Sequence, residues 1–176
     1  MAHAITEAAL RARSGDTAAA RAFVSATQTD VWRLCAHLSA RSSADDLTQN
    51  VYLRAWTALP GWRGEASART WLLAIARRAC AQAVRRRWRG SAAGAASGDP
   101  EVVPDPAETV ALDQLIARLD PQRRSAFVLT QLLGLSYAEA AKVCGCPVGT
   151  IRSRVARARG DLLEGLRDRG PAPQTR

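Results

Sequence analysis

Lysine is nearly missing from this chain: Lys142 stands alone beside 24 arginines. Histidine is as scarce, with only His3 and His37, and neither has a plausible set of metal ligands around it in sequence. The four cysteines, Cys35, Cys80, Cys144 and Cys146, are too few and too scattered for a secreted disulfide framework. Cys144 and Cys146 are separated by one residue, and no Cys or His pair follows, so the usual zinc spacing is not met. They read as small hydrophobes at a helix turn; a redox role stays open. Nowhere do about 20 apolar residues run together, so no membrane insertion is expected. Met1 to Leu10 lack the basic segment and apolar core of a secretory signal. The expectation is a cytoplasmic protein with free thiols, and with no metal, no cofactor and no catalytic residues. Period-two alternation is absent too, which leaves no candidate strand.

What is present is alanine, arginine and helical periodicity. Hydrophobic residues make up 47% of the 176, enough for a packed core, while aromatics are only 5%. Basic residues outnumber acidic ones 25 to 16, giving a net charge of +9 and a pI near 10.8. That excess points to a polyanionic partner. The arginine fork suits phosphates and guanine edges, although a compositional habit also accounts for arginine over lysine.

One break divides the chain. Gly90 to Pro106 read GSAAGAASGDPEVVPDP, with no apolar face to bury, and are expected to form a flexible linker. The expected parts are residues 1–89, a linker over 90–107, and residues 108–170. Residues 1–88 hold 13 basic and 6 acidic groups, and residues 108–176 hold 11 and 7. Two basic modules on an acidic tether suggest a bipartite grip on nucleic acid. The fold class expected is all-α, as two small helical domains.

Helix signals fill both parts. Asp16 or Thr17 caps a helix through Phe23, Val31, Leu34 and Cys35. Ser42 and Ser43 open another, with Asp45 and Asp46 in its first turn, which stops at Pro60-Gly61. Ser67 starts a long helix that ends in an arginine run with Trp88. Beyond the linker, Leu112 to Leu119 form a helix ended by Asp120, and Pro121 begins the next.

Residues 135–155 read as a helix-turn-helix. Ser136 caps the first helix, with Glu139 at the capping-box position. Ala140 is small where two helices cross, and Gly145 takes the tight turn. Pro147 presets the second helix, whose Ile151 and Val155 face the core. Thr150, Arg152, Ser153, Arg154 and Arg157 then lie on the free faces, aimed at a DNA major groove.

Two N-terminal strings carry further pattern. In ADDLTQNVYLRAW, residues 44–56, Asp46, Gln49, Asn50 and Leu53 trace one mixed stripe. It is either a solvated face or a surface that docks on another helix. In WRGEASARTWLLAIARR, residues 62–78, a glycine-bearing loop runs into an arginine-rich helix. Arginine interleaved with tryptophan matches single-strand binding, where bases stack on aromatics; Trp62 and Trp71 are also readable as core, Trp71 equally so.

Together these strings resemble the extracytoplasmic-function sigma factors of bacterial RNA polymerase. ADDLTQNVYLRAW is similar to their polymerase-docking segment, and WRGEASARTWLLAIARR to their promoter-melting and minus-ten segment. LTQLLGLSYAEAA, residues 129–141, with CPVGTIRSRVARAR, residues 146–159, is similar to their minus-thirty-five helix-turn-helix. The resemblance implies docking of Asp46, Gln49, Asn50 and Leu53 on the coiled coil of the largest polymerase subunit, with further contact at the polymerase flap. It implies minus-thirty-five reading by Thr150, Arg152, Ser153, Arg154 and Arg157. Melting and minus-ten capture would then fall to Trp62, Arg63, Gly64, Glu65, Thr70, Trp71, Arg77, Arg78, Gln82 and Arg85. Promoter DNA, core polymerase and an anti-sigma factor are the implied partners. Where the family often carries Asn, Asp and Arg along the minus-ten helix, this chain has Arg78, Gln82 and Arg85, so only the last agrees. The rival readings are a stand-alone helix-turn-helix regulator and a DNA recombinase. The first needs a dimer seam and the second a metal or nucleophile set, and neither is visible.

Overall fold

The computed structural model describes residues 2–92 and 107–168. Among them are eight α-helices and no strand: α1 (Ala2–Arg13), α2 (Thr17–Leu38), α3 (Ala44–Ala58), α4 (Ala68–Ala92), α5 (Ala107–Arg118), α6 (Pro121–Phe127), α7 (Tyr137–Cys144) and α8 (Val148–Arg167). Most of the expected linker lies outside the described residues. Its first residues continue α4 through Ala92.

Helices α1 to α4 pack as one bundle. Asp16 caps α2 by accepting from the Ala19 amide, and Arg11 holds the same carboxylate at 2.6 Å. Those donors keep the Asp16 carboxyl below the usual range. Phe23, Val31, Leu34 and Cys35 of α2, Val51 and Ala55 of α3, and Leu72, Leu73 and Ala76 of α4 are all buried. Helix α1 was not expected; its Ile5 and Ala9 close the bundle, but two buried positions in an alanine-rich stretch are a weak periodic signal. A second difference lies ahead of α3. A 3-10 turn at Arg41–Ser43 precedes it, and Ser43 makes no side-chain cap. Its hydroxyl instead donates back to the Ala40 carbonyl at 2.8 Å.

The second bundle is α5 to α8. Asp120 accepts from the Gln122 and Arg123 amides, and Pro121 is the first residue of α6. A π-turn over Val128–Leu132 extends α6. The helix-turn-helix follows its sequence pattern closely. The capping box of Ser136 and Glu139 is complete in both directions. Gly145 stands at φ 65°, a left-handed cap where a side chain would be strained. Ala140, Ile151 and Val155 are buried at the crossing.

The halves are not separate. The buried residues of both bundles join one continuous cluster, with α4 lying against α7. Both expected helical parts are present, and the contact between them is a feature that the sequence pattern does not reveal. Guanidinium-to-carbonyl bonds, described below, add to that apolar contact.

Removal of the cap tests the local account of the hairpin. Ser136→Ala is expected to cost about 1 kcal/mol in urea unfolding. The Glu139 carboxyl is held low by the Ser136 hydroxyl and amide. Its contribution is therefore full above the ordinary carboxylate range and fades as pH falls through the depressed value. The stability gap between wild type and Glu139→Gln should shrink in acid.

Candidate nucleic-acid interface

Helix α3 presents one side to solvent because Val51 and Ala55 bury the other. Asp46, Gln49, Asn50 and Leu53 all lie on the exposed side, and Leu53 is 67% exposed despite its apolar chain. An exposed leucine flanked by a carboxylate and two amides is a surface with one apolar anchor and several hydrogen-bonding groups. Arg54, next to it, bridges to α4 by donating to Gln82 Oε1 at 2.7 Å.

Between the end of α3 and the start of α4, the chain folds around a cavity of about 420 Å³. Trp62, Arg63, Glu65, Thr70, Trp71 and Arg78 line it, and all six belong to the melting set derived from the sequence. The volume falls within the usual small-ligand range of about 300–1,000 Å³. Trp62 and Trp71 are paired, with ring centroids 5.6 Å apart. Trp62 is only 6% exposed and Thr70 only 3%. That corrects the view of Trp62 as a free loop aromatic: its ring is core, held because its amide donates to Leu59 and its carbonyl accepts from Arg13. Thr70 shares a hydrogen bond with Ser67 at 2.8 Å, which fixes the start of α4. Trp71, half-buried, and the exposed Arg63, Glu65 and Arg78 are the groups open to an incoming molecule. Gly64, at φ 76°, lets the loop turn.

Three members of the set lie elsewhere. Gln82 is committed to Arg54, and Arg85 is exposed farther along α4. Arg77 turns away toward α7. Its Nε donates to the Val143 carbonyl at 3.0 Å and its Nη2 to the Cys144 carbonyl at 3.2 Å. These are carbonyls of the last turn of α7, unpaired within the helix and at its negative end. Arg69 adds a parallel link, bonding Asp30 at 2.7 Å and the Leu133 carbonyl at 2.7 Å. Arg41 reaches Asp113 at 3.2 Å. Lys142 of α7 lines the cavity and meets the Glu65 carbonyl at 3.5 Å. Sequence reasoning missed Lys142, since nothing local marks a residue that acts across the domain boundary. Trp88, 76% exposed beside Arg85, Arg86, Arg87 and Arg89, lies in the stretch Thr70 to Arg89 that the sequence pattern assigns to single-strand binding.

On α8, burial of Ile151, Val155, Ala158 and Leu162 leaves the opposite face open. Arg152, Ser153 and Arg157 are exposed and Thr150 half-buried there. Arg154 is partly committed: it donates to Gln122 Oε1 and to Cys146 Sγ, the latter at 3.5 Å. Four of the five proposed reading residues are thus free of side-chain partners from other elements, and the fifth is tethered to the hairpin.

A bundle with an aromatic-floored cavity, followed by a helix-turn-helix with an open arginine face, defines a promoter-recognition protein of the sigma-70 class. The Sigma-70 region 2 family matches residues 23–90, and the Sigma-70, region 4 family matches residues 109–162. The chain is 51% identical over 167 residues to the ECF RNA polymerase sigma factor SigC of Mycobacterium tuberculosis, covering 91% of this chain and 90% of the relative. It is 31% identical to the ECF RNA polymerase sigma-E factor of Escherichia coli K12, covering 85% and 87%. In structure it resembles the sigma factor RpoE in complex with the anti-sigma factor NepR from Bartonella quintana, with a TM-score of 0.76, 27% identity, and 84% and 96% of the two chains covered. It also resembles CnrH in complex with the cytosolic domain of CnrY, with a TM-score of 0.75, 25% identity, and 96% and 99% covered. The chain belongs to the extracytoplasmic-function RNA polymerase sigma factors and acts in promoter-directed transcription initiation. Neither rival reading is favoured by these likenesses. No described helix is long and apolar enough to cross a membrane.

If the guanidinium of Arg77 holds the halves together, its removal loosens them. Arg77→Ala should raise the radius of gyration in small-angle scattering while leaving helix content by circular dichroism unchanged.

Proposed function

We propose that this sigma factor grips polymerase through the exposed side of α3, reads upstream duplex through α8, and captures melted bases at the cavity beside α4. The observation that carries the reading is the convergence of Arg63, Glu65, Trp71 and Arg78 on one cavity mouth, over a floor that Trp62 closes from below. Asp46, Gln49, Asn50 and Leu53 supply the docking surface for core RNA polymerase, at the coiled coil of its largest subunit, with the region 4 bundle at the flap. Working with polymerase, the protein acts in the cytoplasm. It performs no chemistry itself; its role is to convert binding energy into strand opening.

Magnitudes support a division of labour. Extruding a base costs a few kcal/mol. Stacking on an aromatic returns about 1–3 kcal/mol per base. The two nearly cancel, so melting depends on polymerase as well as on the cavity. Trp71 offers the accessible ring, and Arg78 and Arg63 neutralise the backbone of the displaced strand. Arg78 and Gln82 stand where the family often has Asn and Asp. The base preference of this cavity therefore differs from that family pattern.

The packed arrangement is a resting form. With Arg77 bonded to α7 and Lys142 at the cavity mouth, the cavity is reached fully only after the region 4 bundle moves away from α4. Linker residues 90–107 supply the length for that separation between domains 1–89 and 108–170. The solved structure of RpoE that this chain resembles is of a sigma factor held by an anti-sigma factor, which supports a similar inhibitory partner here.

In transcription assays with core polymerase, Asp46→Arg should abolish co-purification with core and leave the helical spectrum intact. Retention of core binding would remove the α3 assignment. Arg152→Ala should lose about 1–3 kcal/mol of discrimination between upstream sequences, the worth of one bidentate base contact. An equal loss on all sequences, with a shallower salt dependence, would instead place Arg152 on phosphate.

A further inference from the structure

The turn between α7 and α8 holds a feature that promoter recognition does not use. Cys144 ends α7, Gly145 is its left-handed cap, and Cys146 follows directly. The two thiols flank that one residue, and both are only half-buried. Gly145 stands at φ 65° and ψ 42°. A residue of helical geometry in either hand puts its neighbours' Cα atoms roughly 5.4 Å apart, from helix radius and rise. Disulfides span Cα separations of about 4.4–6.8 Å. The Cα spacing therefore lies within the disulfide range, and glycine is the residue that permits this conformation. We propose that Cys144 and Cys146 form a reversible disulfide when exposed to a hydroperoxide, and that this dithiol sets the position of the reading helix.

The chemistry balances. The Arg154 guanidinium lies 3.5 Å from Cys146 Sγ, where it favours a thiolate, while burial pushes the Cys144 thiol up; the first attack is therefore assigned to Cys146. Its thiolate sulfur attacks the terminal oxygen of the peroxide, the O–O bond breaks, and an alcohol, or water from hydrogen peroxide, leaves. Cys146 becomes a sulfenic acid. The Cys144 sulfur attacks it; the S–S bond forms, the S–O bond breaks, and the hydroxyl leaves with the Cys144 proton as water. Two electrons pass from the two sulfurs to the peroxide. A dithiol reductant reverses the step by exchange.

The other thiol pair marks what accessibility adds. Cys35 of α2 and Cys80 of α4 both lie in the core, at 0% and 1% exposed. The neighbouring Cys35 thiol, and then burial, push the Cys80 thiol up. That pair is closed to a peroxide and serves as an internal control.

Position gives the pair its reach. Cys146 Sγ accepts from Arg154 Nη1 at 3.5 Å, and the Cys144 carbonyl accepts from Arg77 Nη2 at 3.2 Å. Turning the Cys146 sulfur toward Cys144 removes it from Arg154 and shifts the start of α8, which carries Thr150, Arg152 and Ser153. The consequence for DNA rests on the reading of α8 given above.

The test uses the full chain treated with hydrogen peroxide, alkylated and digested with trypsin. Cleavage after Lys142 and Arg152 leaves both thiols in one peptide, Val143–Arg152. We expect that peptide to be two hydrogens lighter and unalkylated, restored by dithiothreitol, while the Cys35 and Cys80 peptides remain reduced. Full alkylation at Cys144 and Cys146, or irreversible oxidation without the mass loss, overturns the site. Cys146→Ser should abolish the mass loss while keeping the fold. In parallel, oxidised protein with core polymerase should bind the upstream duplex about tenfold more weakly than reduced protein, the size of one lost base-edge contact. A lighter peptide with unchanged affinity overturns the link to α8. Absence of any sequence preference in the reduced form instead sinks the α8 reading, and the peptide mass still decides the thiol site.

Discussion

The arrangement depends on one guanidinium meeting one helix end. Arg77 of α4 donates to the Val143 and Cys144 carbonyls, which close the last turn of α7 and have no intrahelical partners. The positive charge lies where the helix dipole is negative. Hydrogen bonds to a charged donor are about twice as strong as neutral ones, and here two share one geometry. Arg69 repeats the device on the Leu133 carbonyl. These bonds join α4 to the helix-turn-helix beside the apolar residues of both bundles, which form one buried cluster. Water and phosphate compete for the arginine share of that seam, and phosphate is an attractive alternative partner for the same fork.

That seam ties the two functional surfaces together. α8 keeps its arginine face exposed in the packed form, so under the proposed reading the upstream element is accessible while the halves remain joined. The cavity beside α4 has region 4 at its mouth through Lys142. The proposed order is therefore upstream recognition first and strand capture second, with release of the seam between them. The α3 surface faces solvent throughout and is available to polymerase at either stage.

Local features were legible in the sequence because their causes are local. Ser136 with Glu139, Gly145, Asp16 and Pro121 each announce a helix end through hydrogen bonding or backbone preference within a few residues, and the structure has each in place. The exposed stripe of α3 followed from helical spacing. What escaped has non-local causes. Arg77 was placed with the DNA-facing arginines because a solvated arginine and one bonded across a domain boundary look the same in sequence. Trp62 was open to two readings, base-stacking loop aromatic or core, and its neighbours on α1 and α4, which bury it, decide for core. α1 escaped since alanine carries little periodic contrast. Lys142, the one lysine, had no local signature for its place beside the cavity.

The central claim is that the two halves, packed in the free protein, part when the promoter is engaged. It is tested most directly by energy transfer between fluorophores at Ser14, in the turn after α1, and Arg167, at the end of α8. The free protein should give one high-transfer population. Core polymerase with promoter DNA should replace it by a low-transfer one. A transfer efficiency that stays high in a complex competent to open the promoter would contradict the account.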